Sequence, residues 1–356
     1  MSSFVHFIAA AAGGPTPPGA GDYTLLDEIS ATAKPFIDAG PIVISRDGST
    51  VFAVGQNASA LGLWVWRWDG ASAWPNLQVI ALGTPGDFTA ATQMPAMSLA
   101  CSEDGTRAVL GMPAAVSADG VVYVFDETSP DTWTQYQRIS PPSSGAAGQF
   151  GADVDITNDG SRIIVGEQAY YDGVQGLGRA HVYLDSGSAF ALEQTLPDAS
   201  ENGFGNLGGA ARISGDGTTA VLGNSGVFSP SFFGLGAVEG YTRSGTTWTF
   251  QSRKYATEDD PLNSISSVGA VLAVDEDCTR LLTCDWTATY PDSAHYSLSG
   301  GVLTFVDIVY GLGLSGSGSF TAAMAMAGDA STVVLGDYLY STSRGRIRRW
   351  TGPTGW

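Results

Sequence analysis

At 356 residues the chain is long enough to bury a large core, as one repeat array or as two ordinary domains. Its 47 glycines, 10% aromatic residues and only 14% charged residues describe a turn-rich all-β protein and exclude a disordered one. The formal net charge of −19 excludes nucleic-acid binding, which needs a cationic face to release counterions from phosphates.

The chain opens on an apolar arm, Phe4, Val5, His6, Phe7 and Ile8 followed by Ala9 to Ala12. It lacks the positive residues that precede a signal peptide's apolar run and is too short to span a bilayer, so neither export nor a membrane span is expected. Residues 13–21, GGPTPPGAG, form a Pro/Gly linker, which sets an anchoring arm of residues 1–21 apart from a domain of residues 22–356. Next comes Tyr23 to Ser30, whose nearest internal relative is Trp133 to Ser140. The latter closes a later repeat, so a final strand stands at the start of the chain.

Six units follow. Asp47-Gly48, Asp104-Gly105, Asp159-Gly160, Asp216-Gly217, Asp277-Cys278 and Asp329-Ala330 recur at spacings of 57, 55, 57, 61 and 52 residues, the length of a propeller blade. Each unit fits four strands, A to D. Strand A ends in the column Ile44, Cys101, Ile156, Ile213, Val274 and Met326, with a second apolar column two residues earlier, a period of two that marks a strand. Asp-Gly then makes a tight A–B hairpin. Strand B closes on Gly55, Gly111, Gly166, Gly223 or Gly336; in the fifth unit Cys278 and Cys284 take both glycine sites, and an irregular blade is expected there. A strand between these cysteines spans about 20 Å, too far for a disulfide, so free thiols are expected. Strand C carries Trp68, Phe125, Leu184, Tyr241, Phe305 and Trp350. Strand D starts at Trp74, Trp133, Phe190 or Trp248; in the fifth unit it is placed after Asp307, and the sixth unit ends without one. Tyr23 to Ser30 supplies that missing strand. The expected fold is an all-β, six-bladed propeller of four-stranded antiparallel blades, closed by this N-terminal strand so that no edge stays open. Arg346 and Arg348 would then face Asp27 or Glu28 across the seam.

Phe150-Gly151 before strand A, the Asp-Gly turns, and Gly120-Val121-Val122 or Gly236-Ala237-Val238 in strand C recur in register. With them, about residues 22–356 resemble the FG-GAP repeat family, and the resemblance implies an integrin α-like β-propeller. The sequence departs from the family where Leu207-Gly208, Val268-Gly269 and Phe320-Thr321 occupy the Phe-Gly site. The family's calcium loops do not carry over, because turns such as Ser45-Arg46-Asp47-Gly48 are too short. No cofactor is expected; the best local calcium cluster is Asp153, Asp155, Asn158 and Asp159, with Asp275, Glu276 and Asp277 second, and the hairpin explains these residues better.

No enzyme is expected, since His6, His181 and His295 lie outside nucleophile and metal motifs and nothing singles out a catalytic carboxylate pair. His181 aligns with Val122 and Val238 and is read as packed, His295 as a loop residue, and Trp64, Trp66 and Trp68 as packing between blades. The A–B and C–D turns share one rim and are short, as at Asp69-Gly70, Ser186-Gly187 and Ser244-Gly245. The B–C loops lie on the other rim and are long, with Tyr170, Tyr171, Phe228, Phe232, Phe233, Trp286, Tyr290 and Tyr296. Exposed loop aromatics anchor sugars or proteins, so this rim is the expected contact face. Phe4, Val5, Phe7 and Ile8 loosely resemble the anchoring peptides of tailed-virus appendages. The expected function is therefore a non-enzymatic virion part, held by its arm to other structural proteins and offering a propeller face to host protein or glycan. A secreted or cell-surface lectin-like adhesin is the alternative, and a propeller glycoside hydrolase the second.

Overall fold

A computed structural model gives the fold, describing residues 38–56, 61–70, 75–82, 96–143, 147–174, 176–197, 204–228, 235–255, 268–284, 293–309, 323–337 and 346–351. These residues are built almost entirely of antiparallel sheets. The first sheet holds β1 (Asp38–Ile44), β2 (Thr50–Gln56), β3 (Leu61–Arg67) and β4 (Asn76–Ala81), and the second β5 (Ser98–Cys101), β6 (Arg107–Met112), β7 (Val121–Ser129) and β8 (Thr132–Ile139). The third holds β9 (Phe150–Ile156), β10 (Arg162–Glu167), β11 (Gly176–Asp185) and β12 (Phe190–Pro197), and the fourth β13 (Phe204–Ile213), β14 (Thr219–Phe228), β15 (Leu235–Ser244) and β16 (Thr247–Tyr255). The fifth is made of β17 (Val271–Val274), β18 (Arg280–Cys284), β19 (Ser293–Ser299) and β20 (Val302–Val309). The last has three strands among the described residues, β21 (Ala323–Met326), β22 (Thr332–Asp337) and β23 (Arg346–Thr351). The arm, Tyr23 to Ser30, Phe232, Phe233, Trp286 and Tyr290 lie outside the described residues, as do the side chains of Phe228, Arg346 and Arg348.

The A–B hairpin obeys one local rule throughout. Gly48, Gly105, Gly160 and Gly217 sit at φ between 67° and 71°, and Cys278 and Ala330 adopt the same left-handed conformation at 51° and 57°. Each donates its N–H three residues back, to Ser45, Ser102, Thr157, Ser214, Asp275 or Ala327. The fifth turn is therefore regular, correcting the expected irregularity. In four turns a Ser or Thr hydroxyl donates to the Asp carboxylate, and the same carboxylate caps an N–H two residues later. In the fifth, Asp275 takes that part and accepts from Thr279 and Arg280.

Register corrects the strand C column. Ile44, Cys101, Ile156, Ile213, Val274 and Met326 pair through strand B with Trp66, Phe125, Tyr183, Tyr241, Tyr296 and Trp350, all aromatic. Trp68 and Leu184 are off by two and one residues. In the fifth unit Gly300-Gly301 is the C–D hairpin rather than the start of strand C, so Phe305 belongs to the outer strand β20. His181 consequently aligns with Tyr123 and Glu239, not with Val122 and Val238.

Each sheet has two apolar faces. Phe52, Val54, Leu63 and Val65 of the first sheet pack on Leu110, Tyr123, Phe125 and Trp133 of the second, and the pattern repeats between later sheets. The sheets meet without room for a side chain where glycines face a neighbouring backbone. A Cβ on Gly111, Gly166 or Gly223 would collide with the carbonyl of Gly151, Gly208 or Gly269, the second residue of each Phe-Gly site. The glycines that open strand C, Gly120, Gly178 and Gly236, bridge in parallel to Phe150, Leu207 and Val268. Both halves of the repeat motif are thus one backbone contact between neighbouring sheets.

Candidate functional site

The two ends of the strands differ in construction. At the A–B end a chain of backbone hydrogen bonds links successive turns: Arg46 N–H to Glu103, Glu103 to Asn158, Asn158 to Gly215, Gly215 to Glu276 and Glu276 to Gly328, at 2.8 to 3.2 Å. The Arg46 guanidinium pairs with Glu276 and lies against Gly328.

At the other end the units diverge. Where the third unit places Glu167 and His181, both buried, the fourth places Asn224 and Glu239, also buried. Glu167 meets His181 Nε2 at 2.8 Å and accepts from Arg179, while His181 Nδ1 meets Thr195 at 3.0 Å. Burial pushes the Glu167 carboxyl up, and the His181 and Arg179 contacts more than offset it, holding it below its ordinary range; burial also lowers His181, against the pull of Glu167. Glu239 is closed by the Tyr241 hydroxyl at 2.6 Å and by Arg253. Burial favours the neutral form of the Tyr183 phenol, whose hydroxyl has no hydrogen-bond partner among the described residues.

The inner strands line an open cavity of about 460 Å³. Its wall includes Leu99 of β5, Asp153 of β9, Arg212 of β13, Leu272 of β17 and Met324 of β21, and its B–C end is formed by Pro113, Ala114, Ala118, Gln149 and Gln168. Asp153 accepts from the Arg212 guanidinium and from the Ala211 N–H. Asp155 accepts from the Ile213 N–H at 3.0 Å, and burial pushes its carboxyl up to about 6 against the pull of Arg212. These two carboxylates tie β9 to β13, which explains them without a metal. Asp159 serves its turn and Asn158 donates to Glu276, so the four residues of the best calcium cluster face separate partners. Among the described residues no group of three His, Cys, Asp or Glu side chains is arranged to hold a metal ion.

Of the expected rim residues, Tyr170 and Tyr171 lie in the β10–β11 connection. The Arg179 guanidinium sits 3.4 Å from the Tyr170 ring centroid, leaving that ring half-buried, whereas Tyr171 is 49% exposed. Phe228 ends β14 and pairs with Leu235, so it belongs to the sheet rather than to a loop. Tyr296 is corrected outright: it is a buried core residue of β19, in edge contact with Phe305. His295, beside it, is buried against Asp307 at 3.2 Å and not in a loop. Trp64 and Trp66 are buried and stacked at 6.1 Å, while Trp68, past the end of β3, is half-buried. The cavity was not legible in the sequence. Arg212 and Gln149 fall in no motif; an arginine on an otherwise apolar inner strand was the available signal.

No protein-family model and no curated protein sequence matches the chain. Solved structures share its fold. A protein from Lactobacillus plantarum is 12% identical with a TM-score of 0.57, over 86% of this chain and 79% of its own. One from Bacteroides uniformis, provisionally named a 6-phosphogluconolactonase, is 13% identical with a TM-score of 0.51, over 89% and 88%. The β-propeller domain of Cps50 (Swd1) from Myceliophteria thermophila is 10% identical with a TM-score of 0.50, over 88% and 97%. At these identities the likeness concerns the fold alone, and the fold is propeller-like. Among the described residues no helix is long and apolar enough to cross a membrane.

Proposed function

We propose that the chain is a six-bladed propeller, closed by Tyr23 to Ser30, that works as a non-enzymatic binding module through its B–C face. Closure draws support from the seam. Trp64 and Trp66, 3% and 5% exposed, lie on the first sheet's backward face, which in every later unit packs on the preceding sheet. The turn of the sixth unit adjoins that of the first through Gly328 and Arg46. An outer-strand clasp points the same way. Gln78, Gln137 and Gln194 each clamp both backbone polar groups of the residue opening the next outer strand, Trp133, Phe190 or Trp248. Each such Gln stands four residues after an aromatic opener, and Tyr23 with Asp27 repeats that spacing.

The contrast between the two ends carries the functional reading. Six turns at one end use a single local construction, while the other combines the cavity, the exposed Tyr171 ring and the connections in which the units differ most. A rigid scaffold with one elaborated face is the arrangement of a recognition module. Cross-linking of the native protein in its source, followed by mass spectrometry, tests this. Partner cross-links should concentrate in residues 113–119 and 168–178; concentration at the A–B turns would overturn it. Anchoring through Phe4, Val5, Phe7 and Ile8 to a larger assembly such as a virion is a separate proposal drawn from sequence. Deleting residues 1–12 should leave melting unchanged and abolish incorporation.

A further inference from the structure

We propose that the cavity among the inner strands binds a neutral, saccharide-sized polyhydroxylated ligand, held by Gln149, Gln168, Arg212 and Asp153. The inference rests on the B–C face being the binding face and names what its centre takes. A cavity of about 460 Å³ lies in the usual range for small-ligand sites.

Its polar groups come as two donor–acceptor pairs. Gln168 Nε2 donates to Gln149 Oε1 at 2.6 Å, which leaves the Gln149 amide nitrogen as a donor and the Gln168 amide oxygen as an acceptor. The Arg212 bonds to Asp153 and to the Ala211 carbonyl both use Nη1, so Nε and Nη2 remain to donate, beside a carboxylate with lone pairs left to accept. Adjacent ligand hydroxyls, each both donor and acceptor, match such pairs. Charge selects against ions. An anion would meet a guanidinium already matched by Asp153 with Asp155 close behind, and a cation would compete with Arg212 for Asp153. A neutral ligand meets neither cost. Between the polar groups the wall is aliphatic, from Met97, Leu99, Val271 and Met324, a surface suited to the C–H faces of a sugar ring.

The backbone supplies an independent observation. Eight non-glycine residues have positive φ among the described residues; two of them, Ala118 and Gln149, line the cavity, and three more, Val116, Ser117 and Ala147, lie within two residues of them in the chain. Left-handed backbone at such residues is costly, persists only where its surroundings enforce it, and gathers at ligand clamps. Here the two segments hold each other. Gln149 N–H donates to the Ala118 carbonyl at 2.9 Å, Phe150 N–H to Asp119 at 3.0 Å, and the Asp119 carboxylate accepts from the Ala147 N–H at 3.1 Å. Gln149 and Ala118 are thereby fixed in place before any ligand arrives.

The test is calorimetric titration and ligand-observed NMR of the full chain with neutral hexoses and disaccharides, alongside gluconate as an anion and glucosamine as a cation. At least one neutral sugar should bind, more tightly than both ions. Gln168→Leu removes the free acceptor, and Gln149→Asn retracts the amide while tolerating the left-handed backbone. Each should weaken binding by about tenfold or more with the melting temperature unchanged. No neutral sugar bound at on the order of 10 mM, or equal affinity in both variants, overturns the proposal. Partner cross-links on the B–C face without sugar binding would reject the cavity ligand alone, whereas their absence would reject the binding face itself.

Discussion

The A–B end and the B–C end of this molecule solve different problems with the same strands. At the A–B end a short pattern, Asp followed by a residue able to take positive φ, builds the same backbone turn in every unit, with Ser or Thr two residues before the Asp in four of them. The carboxylates of Asp47, Asp104, Asp159 and Asp216 are exposed and accept from a hydroxyl two residues before them and an N–H two residues after. At the B–C end the polar groups are buried, long-range and different in each unit: Glu167 with His181 and Arg179 in the third, Glu239 with Tyr241 and Arg253 in the fourth. Repetition marks what the fold requires, and divergence marks where evolution had freedom to place a function.

Substitutions sharpen this contrast. Arg253→Leu strands the Glu239 carboxylate, which is fully buried, and should cost about 3–5 kcal/mol in denaturant unfolding. A loss below about 1 kcal/mol would mean the B–C polar groups are as replaceable as the turns. Gly166→Ala drives a methyl into the Gly208 carbonyl and should cost about 3 kcal/mol, against under about 1 kcal/mol for Gly176→Ala, whose Cβ would meet nothing within 4 Å and whose φ is not positive. Equal losses at the two glycines would remove the close-approach argument.

pH separates Asp155, a carboxylate tying two inner strands together, from the turn carboxylates by sign. The Asp155 carboxyl rises from 3.8 to about 6 in the fold, so its favourable contribution is complete below the lower value and is lost as pH rises through about 6. Asp104, Asp159 and Asp216 are lowered; burial opposes this, and the Ser, Thr and backbone donors of their turns prevail. Their contribution is present above about 3.8 and lost as pH falls through their folded values. Asp155→Asn should therefore gain on the parent protein between pH 4 and 7, whereas Asp159→Ala should lose its deficit toward pH 3. A parallel pH profile for Asp155→Asn would show that Asp155 is not held in the raised state. At neutral pH Asp159→Ala is the smallest effect, about 1 kcal/mol, from the lost Thr157 and Ser161 bonds.

Much of the fold could be read from the sequence because its signals are local. The Asp turns fixed six units, and the period-two columns fixed strand A. Strand C slipped in three units because alternation tells one face from the other but not which pair of residues lies opposite. The six-aromatic column emerges only with cross-strand register, and Gly300-Gly301 resembles a strand opening until Ser293 to Ser299 is seen to pair with β18. Tyr296 and His295 were misplaced for that reason. The cavity is less legible still, since Gln149, Asp153 and Gln168 of the third unit and Arg212 of the fourth meet only when the inner strands converge. Among the rim aromatics, Tyr171 is exposed, and the cover that Arg179 gives Tyr170 is a contact that no motif encodes.

Closure of the ring is the claim on which both faces depend, and amide hydrogen exchange of the intact protein tests it most directly. Protection of residues 24–29 comparable to that of β20 is the predicted result, because a strand completing the β21–β22–β23 sheet buries its N–H groups in a ladder. Exchange of those amides at the rate of an unstructured chain, with β20 protected, would contradict the closed six-bladed ring.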